Sequence, residues 1–103
     1  DNISPSKIEN LLCLNEKIKQ SFVYGDKKTY LVALIVTEST ENIKEIEIFL
    51  ENLNKTLSLV EKVKKFKLIK EEFSIENGML TPTLKLKRKK ILDKYKDDLE
   101  KLY

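Results

Sequence analysis

The sequence has no histidine and no tryptophan, a single cysteine, two glycines and two prolines. Each scarcity closes off a class. Without His, no Ser-His or Cys-His catalytic arrangement can be assembled, and zinc sites built on Cys and His are excluded. With Cys13 alone, an intramolecular disulfide is impossible, and a reducing, cytoplasmic setting is the expectation. So little Gly and Pro argues against a disordered or low-complexity segment. The longest apolar run, Tyr30–Val36, has seven residues, against the roughly 18 that a membrane span needs. No basic stretch followed by an apolar one opens the chain, so no signal peptide is expected in it. The first residue is Asp1 rather than Met, and the expectation is a piece of a longer protein.

What is present points to one small domain with one core, 103 residues at 41% hydrophobic. The net charge of +3 is mild but unevenly spread. Lys62–Lys70 carries five lysines, Lys85–Lys90 carries five Lys or Arg, and acidic residues gather in Glu38–Glu51. Such asymmetry predicts one positive face, suited to nucleic acid, an anionic membrane or a negatively charged ligand.

Along the chain, Ser4 can cap a helix that Pro5 begins, and Ile3 can staple against Ile8. Ile8, Leu11 and Leu12 make the stripe of a helix over Pro5–Leu14. Cys13, set among leucines, reads as a small core residue rather than a nucleophile. Lys17–Tyr24 alternates as a strand, with Ile18, Gln20 and Phe22 on one face, and Gly25–Lys28 turns it back. Thr29–Thr37, β-branched and almost wholly apolar, predicts a central strand buried on both faces. From Ser39 or Thr40 the period becomes 3.6, with Ile43, Ile46, Leu50, Leu53 and Leu57 on one side, in one long helix or two joined near Asn52–Asn54. Val63–Phe73 alternates again and carries the lysines of an edge strand. A short hairpin follows around Asn77-Gly78, the type I′ signal in which both residues take φ > 0. The last helix runs from Leu86 or Lys87 to Leu102 on Ile91, Leu92, Tyr95, Leu99 and Leu102, with Asp93, Asp97 and Asp98 as i,i+4 partners of lysines. The expectation is a single α+β domain over 1–103: a small antiparallel sheet of about three strands plus a short hairpin, packed with helices.

Chemistry concentrates in Asn77–Arg88, where a tight turn and Pro82 lead through Lys85, Lys87 and Arg88 into the last helix. A cation on an ordered loop is a device for meeting a phosphate or carboxylate. A solvated basic helix start is the plainer account of the same residues. The run Gly78–Arg88 (Gly-Met-Leu-Thr-Pro-Thr-Leu-Lys-Leu-Lys-Arg) resembles the lysine motif near the end of long-chain acyl-CoA synthetases, members of the AMP-forming adenylating superfamily. Asn2-Ile3-Ser4-Pro5 leading into Ile8-Glu9 resembles the segment that opens their C-terminal domain, with Asp1 in place of the usual Glu. Tyr30–Val36, Val63–Phe66 and Tyr95 add support, so the resemblance runs through essentially the whole chain.

The resemblance implies a mobile C-terminal domain of an AMP-forming long-chain fatty acid–CoA ligase. Such enzymes activate a fatty acid with ATP to an acyl-adenylate and then pass the acyl group to coenzyme A. ATP and Mg2+ are held mainly by a large N-terminal domain, the partner of this one. The small domain rotates between presenting its lysine loop and presenting its opposite face, here Asp1, Asn2 and Ile3, on the coenzyme A side. Thr81, Lys85 and Arg88 match the motif's spacing, making Lys85 the adenylation lysine, with Lys87 the alternative because Thr83-Leu84 replaces the usual Ser-Gly. Thr81, Pro82, Thr83 and Arg88 would support the loop, Arg88 as an anchor rather than a substrate contact. No metal ligand is expected in this chain. No specific nucleic acid is expected either, while peripheral membrane association of the full enzyme is. A different class remains open, a small basic nucleic-acid-binding α+β module using Lys62–Lys70 and Lys85–Lys90. Against it stands the lack of adjacent strand aromatics for base stacking.

Overall fold

The computed structural model describes residues 3–103. Its elements are α1 (Pro5–Leu12), β1 (Gln20–Tyr24), β2 (Leu31–Val36), α2 (Ile43–Asn54), β3 (Val63–Ile69) and α3 (Arg88–Glu100), with single 3-10 turns at Thr40–Asn42 and Leu59–Glu61. Ser4 caps α1, its hydroxyl accepting from the Lys7 N–H, with Pro5 in the first turn. That satisfies one of the free N–H groups of the helix start, as the sequence predicts. The 12 residues of α2 form a single helix. Asn54 then turns the chain into β3, its side-chain amide donating to the Val63 carbonyl (2.9 Å) and accepting from the Val63 N–H (3.0 Å).

The three strands lie in the order β1-β2-β3. β2 is central and buried along its whole length, and β3 lies at an edge. β1 and β2 form the expected antiparallel hairpin, in register from Gln20↔Val36 to Tyr24↔Val32. β3, however, runs parallel to β2, so the sheet is mixed rather than antiparallel throughout. The reason is the connection. The chain leaves β2, passes through α2 and re-enters the sheet at its starting end, a crossover that only parallel pairing accommodates.

Two apolar layers cover the sheet. Phe22, Leu34, Ile69 and Phe73 pack with Ile91, Tyr95 and Leu99 of α3 on one face. Ile8, Leu12, Val23, Ala33 and Ile35 pack with Ile46 and Leu50 of α2 on the other. Ile18 belongs to this second layer, opposite Phe22, because it precedes the strand and escapes its alternation. Strand β3 stops at Ile69, short of the expected Phe73. The chain then crosses the end of β2 toward β1, where the Gln20 side-chain amide donates to the Phe73 carbonyl (2.9 Å) and accepts from its N–H (2.7 Å). A glutamine thus supplies the pairing a strand neighbour would have given, and Phe73 is fixed in the core.

In the turn between β1 and β2 the left-handed residue is Lys27 (φ 60°). A Cβ on Gly25 would press on the tip of the buried Leu31 side chain, so glycine leaves room for it. Cys13 caps the C-terminus of α1 and is exposed. The helix ends at Leu12 and the chain turns outward, so Cys13 falls just past the last buried position. Desolvation of its sulfur, which lies 3.6 Å from Ser21 Oγ, raises the thiol pKa. Among the described residues, the aspartates of α3 make no i,i+4 pairs. Asp98 instead meets Lys67 of β3 at 3.8 Å, and Lys94 reaches back to Glu71. Also among the described residues, no helix is long and apolar enough to cross a membrane.

The end of α3 is tied down by tyrosines. Tyr103 donates to the carbonyls of Tyr30 (2.7 Å) and Tyr24 (3.3 Å), and Tyr24 donates to Glu100, which also pairs with Lys28. Burial pushes the Tyr103 phenol up to about 12, as it does Tyr95, whose hydroxyl also donates to Glu71. Both phenols titrate later in the folded chain than in the unfolded one, where the value is 10.0. The unfolded state therefore loses protons first, and stability is expected to fall as pH rises from 10 toward 12. Urea midpoints across that range, read beside phenolate absorbance, check this. A stability that stays level to pH 12 would refute it.

Candidate functional site

The lysine loop is built by two local devices. First, Ile75–Gly78 forms one turn closed by Gly78 at φ 80°, with the Met79 and Leu80 N–H groups both donating to the Ser74 carbonyl (3.1 and 3.0 Å). Among the described residues only Lys27, Leu84 and Gly78 have positive φ, so Asn77 does not take the type I′ conformation. Its side chain scaffolds the turn instead. Oδ1 accepts from the N–H groups of Ser74 (3.0 Å) and Met79 (3.1 Å), and Nδ2 donates to the Glu72 carbonyl (2.8 Å).

Second, Leu80 and Leu86 form an antiparallel bridge around the loop Pro82-Thr83-Leu84. The Thr81 N–H donates to the Lys85 carbonyl (2.8 Å) and the Leu84 N–H to the Thr81 carbonyl (2.8 Å). This is a turn with Pro82 at its favoured second position, followed by a left-handed residue, the common three-residue hairpin loop. Thr81 Oγ1 accepts from the Lys85 N–H (3.1 Å) and lies 3.1 Å from Thr83 Oγ1. The left-handed position falls to Leu84, φ 64° and 67% exposed. A leucine there costs on the order of 1–2 kcal/mol. Leu84→Gly is expected to raise stability by up to about 1 kcal/mol, once the extra unfolded-state entropy of glycine is subtracted. A urea midpoint that drops in this variant would mean the Leu84 side chain packs to more effect than its exposure indicates.

With Leu80 and Leu86 packed inward, Lys85 and Lys87 are both exposed. They are not equivalent. Lys85 lines a cleft of about 580 Å³ between the loop and α1, shared with Glu9, Cys13, Gln20, Leu84 and Arg88. Lys87 stands outside that lining as the residue before α3, its N–H donating to the Met79 carbonyl (2.8 Å). Arg88 reaches back onto α1, its side chain still 39% exposed. Its guanidinium forks onto Glu9, Nη2 to Oε1 at 2.6 Å and Nη1 to Oε2 at 2.9 Å, touches Ser6 Oγ at 3.3 Å and stacks over Phe22. Glu9 is 6% exposed and also accepts from the Val23 N–H at 2.8 Å.

Thr81, Pro82, Thr83, Lys85 and Arg88 are thus gathered in one loop and its anchor. Ile3 is half-buried ahead of α1 and packs against the layer of Ile8 and Leu12. Asp1 and Asn2 lie outside the described residues. Glu9 is the site residue that the sequence reading did not single out. Its signal was present: it shares a helical face with Pro5, Ile8 and Leu12, and a carboxylate on a buried stripe needs a partner. Among the described residues no group of three His, Cys, Asp or Glu side chains could hold a metal ion.

The fold and the loop define a small α+β domain that presents a lysine from an anchored hairpin beside an open cleft. The chain belongs to the family of AMP-binding enzyme C-terminal domains, whose model matches residues 1–103. It is 28% identical to the long-chain-fatty-acid–CoA ligase FadD15 of Mycobacterium tuberculosis, over 99% of this chain and 21% of that protein. It is 32% identical to long-chain-fatty-acid–CoA ligase 6 of Rattus norvegicus, over 98% and 18%. Among solved structures, the A-PCP didomain of the carboxylic acid reductase from Segniliparus rugosus in complex with AMP superposes with a TM-score of 0.83. The identity there is 26%, over 98% of this chain and 16% of that one. The adenylation domain of a carboxylate reductase from Mycobacterium chelonae gives 0.84 at 28% identity, over 98% and 18%. The chain spans about a fifth of the length of the curated relatives it matches.

Proposed function

We propose that this chain is the mobile C-terminal domain of an AMP-forming long-chain fatty acid–CoA ligase and that Lys85 serves its adenylation step. The observation that carries the reading is an exposed lysine on an ordered hairpin loop, lining a cleft, in a chain of this family. In adenylation a fatty-acid carboxylate oxygen attacks the α-phosphorus of ATP, and the bond to pyrophosphate breaks. Negative charge builds on the α-phosphate while the carboxylate must be held in line. The Lys85 ammonium reaches both, a contact worth roughly 3–4 kcal/mol by analogy with a single oxyanion donor. It forms no covalent bond. Lys87, outside the cleft, remains the alternative.

Among the described residues no carboxylate or cysteine cluster could hold a metal ion, and ATP and Mg2+ belong on a larger N-terminal domain, the partner of this one. After adenylation the domain turns its other face, including Asp1, Asn2 and Ile3, toward the site where coenzyme A takes the acyl group. The full enzyme works in the cytoplasm, with peripheral membrane contact where its fatty acid partitions.

The test compares two proteins. The full-length enzyme, given palmitate, ATP, Mg2+ and coenzyme A, is expected to release pyrophosphate and form acyl-CoA. The 103-residue chain alone is expected to fold and release none. Turnover by the isolated chain would move the active site into it and overturn the reading. Submicromolar, sequence-selective nucleic-acid binding near physiological salt would favour the nucleic-acid module, since non-specific binding lies on the order of 10⁻⁴–10⁻⁶ M.

A further inference from the structure

We infer that Glu9 positions Lys85, acting through Arg88, so that α1 and the lysine loop move as one body. This rests on the reading of Lys85 as the adenylation lysine. Arg88 begins α3 and follows Lys85 by three residues. The loop's upstream side is held by the Leu80–Leu86 bridge and by the Lys87 N–H on the Met79 carbonyl. Its downstream side is held by the fork of Arg88 on Glu9, and Glu9 is itself fixed to β1 by the Val23 N–H. Ser6, from the first turn of α1, adds a further contact to the same guanidinium.

Stability alone does not account for this arrangement. Glu9 is buried while Arg88 is 39% exposed, and desolvating a carboxylate offsets much of what such a pair gains, so apolar residues often do as well for stability. A bidentate fork fixes direction as well as distance, which an apolar contact does not. Three nitrogen–oxygen contacts from two elements, α3 and β1, therefore converge on one carboxylate of α1, in the same cleft that Lys85 lines. Any turn of the domain about the segment ahead of α1 then carries Lys85 with it, without slack. Glu9 touches no substrate; its effect passes through the backbone between Arg88 and Lys85.

The experiment uses the full-length enzyme with Glu9→Gln, Lys85→Ala and the double variant. Glu9→Gln is expected to slow adenylation about 10- to 100-fold, the cost of a misplaced group, and to leave thioester formation from supplied acyl-adenylate within about twofold. In the Lys85→Ala background the same change is expected to slow adenylation by no more than about twofold, because its route to the chemistry has been removed. Amide exchange across 81–88 is expected to quicken in Glu9→Gln while β2 stays protected. Equal slowing by Glu9→Gln in both backgrounds would overturn the inference, since a general structural defect adds to any other. Should Glu9→Gln fail to fold, Arg88→Lys carries the same comparisons, keeping a charge beside Glu9 while giving up the fork. A wild-type enzyme that makes no acyl-adenylate overturns the reading of the site. Unchanged exchange at 81–88 in Glu9→Gln overturns the role of Glu9 whatever the substrate proves to be.

Discussion

In the full-length enzyme, Lys85→Ala is expected to slow acyl-adenylate formation by about 10²–10³-fold, the loss seen when one donor to a developing oxyanion is removed. In the proposed role the contact strengthens as charge gathers on the α-phosphate, so the loss is expected in the chemical step more than in ATP or fatty-acid binding. Thioester formation from supplied acyl-adenylate is expected to suffer far less, because on the proposed rotation the domain then points Lys85 away from the substrate. The half-reactions must be timed separately, since overall turnover mixes chemistry with domain movement. Lys87→Ala is expected to be milder in both, in keeping with its place outside the cleft lining. If Lys87→Ala abolishes adenylation while Lys85→Ala is tolerated, the motif has been read two residues out of register. If the two variants slow both half-reactions alike, the lysines serve folding or docking, and the catalytic role fails.

How much of this was legible beforehand varies by element. The central strand was plain because Leu31–Val36 is apolar at every position, and only burial on both faces permits that. The cap of α1 was equally plain, since Ser4 accepts from the Lys7 N–H three residues on. The direction of β3 was not. Alternation reports which residues share a face but carries no sign for parallel or antiparallel pairing, which depends on the route taken by α2. The side-chain pairing of Gln20 with Phe73 was likewise hidden, because it joins residues 53 apart in the chain.

The lysine loop was located by its wording, yet its mechanics differ from what its dipeptides signal. Asn-Gly prescribes two left-handed residues when nothing else competes. Here Asn77 has three hydrogen bonds to make with its side chain, and these fix the turn with Gly78 alone left-handed. Leu84 in turn holds a conformation that its own side chain disfavours, because Thr81 and Pro82 close the loop around it. Neighbour contacts outweighed local preference at both positions. Glu9 went unremarked for a related reason: Arg88 is 79 residues away, and only the folded chain brings the two together.

Leu34→Ala is expected to have the largest effect on stability. Leu34 lies mid-strand in β2, fully buried, opposite Phe22 of β1 and Lys67 of β3 in the register. Its side chain enters the layer formed with Ile91, Tyr95 and Leu99 of α3. Truncation removes apolar contact and leaves a cavity that a flanked central strand cannot collapse into, so a cost of about 2–5 kcal/mol is expected. A domain of this size holds only about 5–15 kcal/mol in total. At about 4–8 °C per kcal/mol, the melting temperature of the 103-residue chain should fall by roughly 10 °C or more. Ile48→Ala provides the contrast, since Ile48 on α2 is 61% exposed and its truncation is expected to stay within about 0.5 kcal/mol. Urea and thermal unfolding of the three chains decide the matter. A Leu34→Ala cost below about 1 kcal/mol would mean that α3 does not close over the sheet as described. The lysine loop would then lose the support that Leu80, Leu86 and Ile91 draw from that same layer.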